Sequence, residues 1–243
     1  MRLLVINPNT TASMTNGIAL AARSIAAPGT EIIAVNPEHG PVSIEGYYDE
    51  AFSVPGLLRE IRKGEDNRVD GHIIACFDDT GLEAARSLAN APVVGIGEAA
   101  FHYATMLGHR FSVVTTLSRS VAAIENNLLK YGLMSRCARV RASDVPVLEL
   151  DDPKSDASSK ISAEIDIAIK EDHAEVIVLG CAGMAVLAAR LSEKHGLPVV
   201  DGVTAAVTII EGLVRSGLRT SKINSYSAPR SKTYRGMYEV DAP

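Results

Sequence analysis

The 243-residue sequence contains no tryptophan, and aromatic residues make up only 5% of it. A surface that binds single-stranded nucleic acid needs stacking platforms among clustered cations. Here Lys and Arg are scattered and the formal net charge is −5, so nucleic acid is not an expected partner. Cysteine is scarce too. There are three, none in a C-x-x-C pair, which argues against a disulfide framework, a thiolate zinc site and C-x-x-C redox chemistry. The six histidines show no metal-ligand spacing, so no metal is expected. "VGIGEAA" holds Gly95 and Gly97 but no third glycine, and it follows a late strand, so a dinucleotide site is not expected either. The longest apolar runs, such as "VIVLG" and "MRLLVI", are far short of the roughly 20 residues that cross a bilayer. No apolar segment precedes a small-residue cleavage site at the N-terminus. The expectation is a cytoplasmic protein with free thiols and no membrane association.

What is present is ordinary globular material, 47% hydrophobic and 22% charged, with enough chain for one large domain or two smaller ones. Apolar strand-like runs alternate with helical patterns: "RLLVIN", "TASMTNGIALAARSIA", "TEIIAV", "YYDEAFSVPGLLREIRK", "VDGHIIAC", "GLEAARSLA", "APVVGIG". Such alternation predicts βαβ units and a mostly parallel sheet. The chain then restarts with "RFSVVTTLSRSVAAIENNLLKYG". Later, "AEVIVLGCAGMAVLAARLSEKHGLPVVDGVTAAV" echoes "DGHIIACFDDTGLEAARSLANAPVVGIGEAA". Cys76 and Cys181 recur 105 residues apart, Pro92 and Pro198 106 apart, and each cysteine precedes an "AAR".

This pattern reads as a duplication, against the blander alternative of chance likeness between Ala- and Val-rich βα units. The predicted architecture is α/β, with two pseudo-symmetric Rossmann-like lobes, each a mostly parallel sheet flanked by helices. The first lobe spans residues 1–97 and the second 98–207, with 208–243 packing back on the first and the site in the cleft between them. The polar, Pro- and Gly-broken tail after about residue 223 reads as a surface strap or a frayed end.

In open parallel sheets, ligands bind at the carboxyl ends of the strands. Cys76 and Cys181 both sit at such ends, each just before a turn and a helix. A two-fold relation between the lobes would set the two thiols on opposite sides of one bound molecule. Inverting a stereocentre with an acidic C–H requires a base on one face and an acid on the other. A thiol titrates near enough to neutrality for either role. The helix N-terminus beside each cysteine is expected to favour its thiolate. Mutual repulsion should leave one thiolate and one thiol. Free cysteine is also a common small core residue, and Cys137, unmatched in the repeat, is read that way.

On these residues the chain resembles the aspartate/glutamate racemase superfamily, and within it the hydantoin racemase branch. The markers are "VINPNTTASMT", "SIEGYYDEA", "ACFDDTGLEAAR", "RFSVVTT" and "VLGCAGMA…PVVDGVTAAV", and they run through the whole chain. The resemblance implies cofactor-independent racemisation by Cys76 and Cys181 in a homo-oligomer of two-lobed subunits. The implied small-molecule substrate is a 5-monosubstituted hydantoin, with allantoin, a ureido-substituted hydantoin, as the close alternative. Removing its C5 proton gives an enolate that oriented N–H groups would stabilise. The expected substrate-binding residues are Asn9, Thr10, Ile44, Phe77, Asp78, Thr115, Thr116, Ala182 and Gly183, several through backbone amides. Asn9, Thr10 and Thr11 equally suit capping of the next helix. Asp78 and Asp79 equally suit a charge cluster at a helix start, and Tyr47 and Tyr48 equally suit the core of their helix. His72 reads as a packed or edge residue, while His102 is a candidate to approach the cleft. A non-enzymatic small-molecule binding module is the competing reading from another class.

Overall fold

The computed structural model describes residues 1–152 and 154–243. The first half forms β1 (Arg2–Ile6), α1 (Ala12–Ile25), β2 (Glu31–Val35), α2 (Tyr47–Asp66), β3 (Gly71–Ile74), α3 (Leu82–Leu88), β4 (Val93–Gly95) and α4 (Ile96–Leu107). The second half repeats the order: β5 (Phe111–Thr115), α5 (Val121–Lys130), β6 (Cys137–Ala142), α6 (Ala157–Glu171), β7 (Val176–Leu179), α7 (Ala188–His195), β8 (Val199–Asp201) and α8 (Gly202–Arg215). The strand order is β2-β1-β3-β4 in one sheet and β6-β5-β7-β8 in the other, the same permutation with every pair parallel. The α/β expectation of two like lobes is met, and the repeat extends to strand pairing, apart from a register shift between Phe111 and Ser112 against β6.

Strands β3, β5 and β7 are buried at every residue. That is why they read as continuous apolar runs rather than alternating ones: helices cover both faces of a parallel sheet. Each lobe's last helix does not cover its own lobe alone. α4 packs on β7 and β8 of the second sheet, and α8 packs on α1, β3 and β4 of the first. The two helices also pack on each other. Their starts touch so closely that a Cβ on Gly202 would collide with the Ile96 carbonyl, so only glycine fits there. Gly71 leaves room for the Ile210 side chain of α8, whose Cδ1 would lie 2.7 Å from a Cβ there. Glu211 of α8 ties the exchange down, accepting from the Ala27 amide at 3.0 Å and the Thr30 hydroxyl at 2.5 Å.

One apolar core therefore runs through both lobes. Phe77 meets Phe101 edge-on, with ring centroids 5.3 Å apart, and Phe101 stacks on Phe111 at 6.0 Å. Aromatic pairs of this kind add about 0.5–1.5 kcal/mol beyond the burial of their area. The tail forms a strap over α2 and α3. Thr220 bonds the Asn90 and Ala91 backbone, Lys222 reaches the Arg86 and Ser87 carbonyls, and Arg59 holds Asp241 in a two-pronged ion pair at 2.7 and 2.8 Å.

Candidate active site

Cys76 and Cys181 occupy equivalent places in the two lobes. The β3 ladder ends with the Ala75 amide donating to the Ile6 carbonyl, and the β7 ladder ends with Gly180 donating to Val114, both at 2.8 Å. The next residue in each case is the cysteine. Each then starts a tight turn, in which the Asp79 amide donates to the Cys76 carbonyl and the Met184 amide to the Cys181 carbonyl, both at 3.1 Å. In each turn the backbone N–H two residues on, that of Asp78 or Gly183, points at the sulfur. The Thr80 hydroxyl also donates to the Cys76 sulfur, at 3.3 Å. Both cysteines are partly exposed, while Cys137 is buried in the core.

The two sulfurs line one cleft between the lobes. Of the residues expected in the site, Asn9, Ile44, Phe77, Asp78, Thr115, Thr116 and Ala182 line it with them. Thr10 does not. Its amide and hydroxyl both donate to the Pro41 carbonyl, so it anchors the loop that brings Ile44 to the cleft. Gly183 does not line the cleft either, and reaches it only through the N–H aimed at the Cys181 sulfur. Thr115 is a fixture more than a free donor: its hydroxyl donates to the Gly180 carbonyl at 2.9 Å and so braces the turn before Cys181.

Asn9 is not a helix cap for α1, whose N-terminal flanking residue is Thr11. Its Oδ1 accepts from the Thr11 amide at 2.9 Å and from Asn7 Nδ2 at 2.8 Å. The Asn9 side-chain N–H2 is thereby turned toward Met14, whose sulfur at 3.6 Å is a weak acceptor. It remains a good donor for a ligand oxygen. Asn7, which fixes Asn9, lies in the same "NPN" run and lines the cleft, though the sequence reading passed over it. Val147 also lines the cleft, in the loop after β6 that corresponds to the loop carrying Ile44 after β2. The repeat itself was the signal for it.

Tyr47 and Tyr48 are neither core nor cleft. Both are exposed, at 57% and 76%, because the start of α2 faces solvent. His102 is exposed as well and does not reach the cleft. His72 is fully buried in β3, with Nε2 2.9 Å from Glu65.

Asp79 proves to be structural. It is buried, and its carboxylate accepts from the Gly97 and Glu98 amides at 2.9 and 2.8 Å and from the Tyr131 hydroxyl at 2.7 Å. It is thus the cap of α4, supplied from the turn that carries Cys76. In the second lobe Asp201 caps α8 locally through the Thr204 amide. The residue in the same place before α4 is Gly95, and the absent side chain leaves the room that the Asp79 carboxylate fills. The two glycines of "VGIGEAA" make way for this carboxylate rather than for a dinucleotide.

The electrostatics correct one expectation. Burial raises both cleft thiols instead of the helix start lowering them. Cys76 is pushed well up by burial and by the Asp78 charge, against the Thr80 hydroxyl and the Asp78 amide. Cys181 is pushed up to about 12 by burial, against the Gly183 amide, with Asp78, Asp151 and Glu45 adding to the rise. One N–H per sulfur does not replace the water that each has lost. Asp78 itself is raised to about 7 by burial and by the charges of Glu50 and Asp79, and Glu50 is raised by burial while its carboxyl contacts that of Asp78.

The cleft is closed down to about 40 Å³, well below the several hundred Å³ of an open small-molecule site. Glu45, next to Ile44, accepts from the Val147 amide at 3.0 Å, and Ser13 donates to Asp151 at 2.8 Å, so the two lobes clasp at the rim. No Lys, Arg or His is among the residues lining the cleft. Among the described residues, no cluster of three or more His, Cys, Asp or Glu side chains is arranged to hold a metal ion. Among the described residues, no helix is long and apolar enough to cross a membrane.

Residues 3–210 match the family described as Asp/Glu/Hydantoin racemase. The chain belongs to that family. It is 50% identical to the hydantoin racemase of Rhizobium meliloti over 236 residues, covering 97% of this chain and 98% of that one. It is 46% identical to the hydantoin racemase of Pseudomonas sp. (strain NS671), covering 98% and 96%. Among solved structures, an allantoin racemase from Klebsiella pneumoniae superposes with a TM-score of 0.98 at 48% identity, covering 100% of this chain and 99% of that one. As a member of the Asp/Glu/hydantoin racemase family, the protein is an isomerase of the racemase type, which excludes the non-enzymatic binding module.

Proposed function

We propose that the protein racemises 5-monosubstituted hydantoins by moving protons between C5 and two thiols, Cys76 and Cys181. The observation that carries this is the placement of the two cysteines at equivalent strand ends, on one shared cleft. One cysteine, as thiolate, takes the C5 proton and becomes a thiol. The other, as thiol, gives its proton to the opposite face of C5 and becomes a thiolate. Between the two transfers the electron pair rests on the ring carbonyl oxygen as an enolate. The Asn9 side-chain N–H2 and the Phe77 and Ala182 amides are the proposed donors to the ring oxygens, since the Asp78 and Gly183 amides already face the sulfurs. No cofactor enters these steps.

A substrate without negative charge is supported by the lining, which carries Asp78 and no cation. An amino acid carboxylate would find no partner there. Ile44, Val147 and Met14 offer an apolar seat for an alkyl or aryl 5-substituent. Allantoin is the second reading, favoured by the likeness to the Klebsiella pneumoniae protein. Its ureido N–H groups would seek the acceptors Glu45 and Asp151 at the rim.

The test is to incubate a single enantiomer of a 5-alkylhydantoin, and separately of allantoin, in heavy water. Decay of optical rotation with deuterium entry at C5 is the expected result, and the faster substrate decides between the two. Neither change above background on either compound would overturn the reading. Cys76→Ser and Cys181→Ser should each abolish racemisation, while one of them keeps deuterium exchange into a single enantiomer through its remaining thiol.

We also infer a homo-oligomer in a reducing cytoplasm. Three free cysteines support the compartment. An exposed groove of about 690 Å³, where Tyr48 and Phe52 of α2 meet Met237 and Tyr238 of the tail, supports self-association. Light scattering should give a mass above that of one 25.8 kDa chain.

A further inference from the structure

A two-thiol racemase leaves each turnover in the wrong state for the next molecule of the same enantiomer. If Cys76 begins as thiolate and Cys181 as thiol, they end exchanged. The proton on Cys76 must then travel to Cys181 before the same direction can run again. A cleft narrowed to about 40 Å³ leaves little room for bulk water to carry it.

We propose that the Glu50–Asp78 carboxyl pair is that carrier, resetting the two sulfurs between turnovers. The inference rests on the two-thiol reading above. Asp78 lines the cleft together with both cysteines, and its charge acts on each of them. Its own backbone N–H faces the Cys76 sulfur, which fixes the carboxyl to that turn. Behind it stands Glu50 of α2, whose carboxyl group is near enough to that of Asp78 for each to act on the other. Two carboxylates side by side repel, and one proton shared between them relieves that repulsion. Glu50 Oε1 is buried and accepts from no other protein donor, which leaves it open to a proton shared with Asp78. The other titratable groups facing the pair are Asp79, Cys76 and Cys181.

The steps balance. The Cys76 thiol gives its proton to the Asp78 carboxylate, leaving a Cys76 thiolate and a carboxylic acid. That acid gives its proton to the Cys181 thiolate, which restores the Asp78 carboxylate. Glu50 keeps Asp78 poised between acid and carboxylate by lending and reclaiming the shared proton. No net charge enters or leaves the cleft. Asp78 acts on the reacting sulfurs, and Glu50 acts through Asp78 as a positioning residue.

The test uses the full-length protein and the Glu50→Gln and Asp78→Asn variants in a tracer-perturbation experiment. A labelled racemic hydantoin at equilibrium receives a pulse of one unlabelled enantiomer. If reset is slow, label flows transiently against the pulse. If reset is fast, it does not. Little counterflow is expected in the parent protein and pronounced counterflow in Glu50→Gln. Its kcat should fall about tenfold, the low end of what a proton-transfer group supplies, and more than its kcat/KM. Glu50→Asp should restore part of the kcat. Counterflow no greater in Glu50→Gln than in the parent would overturn the proposal, whether kcat holds or falls in step with kcat/KM. Deuterium exchange at C5 in Cys76→Ser and Cys181→Ser separates the two ideas. Racemisation that survives both substitutions sinks the two-thiol reading itself, whereas its loss in both with unaltered Glu50→Gln sinks only the carrier.

Discussion

Raising the pH from 7 to 10 should increase the alkylation rate of Cys76 and Cys181 by iodoacetamide about tenfold per unit, with no plateau. The reason lies in the balance found at the strand ends. Cys181 moves from an ordinary value of 9.0 up to about 12 because burial outweighs the one N–H that faces it. A rise of that size corresponds to about 4 kcal/mol against the thiolate. At pH 8 the thiolate fraction is then about one in ten thousand, against about one in ten for an unperturbed thiol. Alkylation of Cys181 should run about a thousandfold slower than that of a model thiol, and Cys76, also raised by Asp78, should behave similarly. The sign carries over to stability. A thiol raised in the folded state contributes fully below pH 9, and the contribution is lost as pH climbs through 12. Each cysteine is followed by digestion and mass spectrometry of its own peptide. A plateau at either cleft cysteine, with a midpoint below pH 8, would show that the turn amides outweigh burial and would refute this reasoning.

Other expectations concern the scaffold. Gly97→Ala would drive a Cβ into the Phe77 carbonyl and to 2.9 Å from Asp79 Oδ2, breaking the cap that ties the Cys76 turn to α4. Losing two such bonds should cost about 3 kcal/mol and lower Tm by about 6–12 °C, with activity falling too. A Tm within about 2 °C of the parent would contradict the account. Glu65 is raised by burial but held down at about 2 by His72 and by the Asn90 and Ala91 amides, which prevail. It therefore stabilises the fold above pH 4.5, by about 2 kcal/mol after discounting for its partial exposure, and that gain disappears as pH falls toward 2. Denaturant titrations of the parent and Glu65→Gln should differ at pH 7 and converge below pH 3. An unchanged gap across that range would count against the assignment.

Much of the architecture was readable in one dimension. Fully apolar runs such as "VIVLG" mark strands buried on both faces, and the 105-residue recurrence of cysteine gave the two-lobed plan. What stayed hidden depends on pairs far apart in sequence. Asp79 meets the amides of Gly97 and Glu98 and the hydroxyl of Tyr131 across 18 to 52 residues, and no local pattern announces that. Thr10 looked like a site residue because the loop after the first strand carries it with Asn9, yet its hydroxyl serves the Pro41 carbonyl. Tyr47 and Tyr48 have the bulk of core residues, but the phase of α2 turns them outward. The raised thiols were missed for a related reason. A helix start is visible in sequence, whereas the depth of packing around a sulfur is not.

The exchange of α4 and α8 between the lobes bears on how the chain reaches its active form. A nascent chain that has emerged only through Leu107 carries a sheet whose covering helix, α8, has not been made, and a helix, α4, whose bed on β7 and β8 does not yet exist. Neither half has a finished interior of its own, so the lobes must assemble together and late, and they should melt as a unit. The shared cleft is thereby withheld from partly synthesised or nicked chains. The two cysteines meet only once both halves have closed around each other.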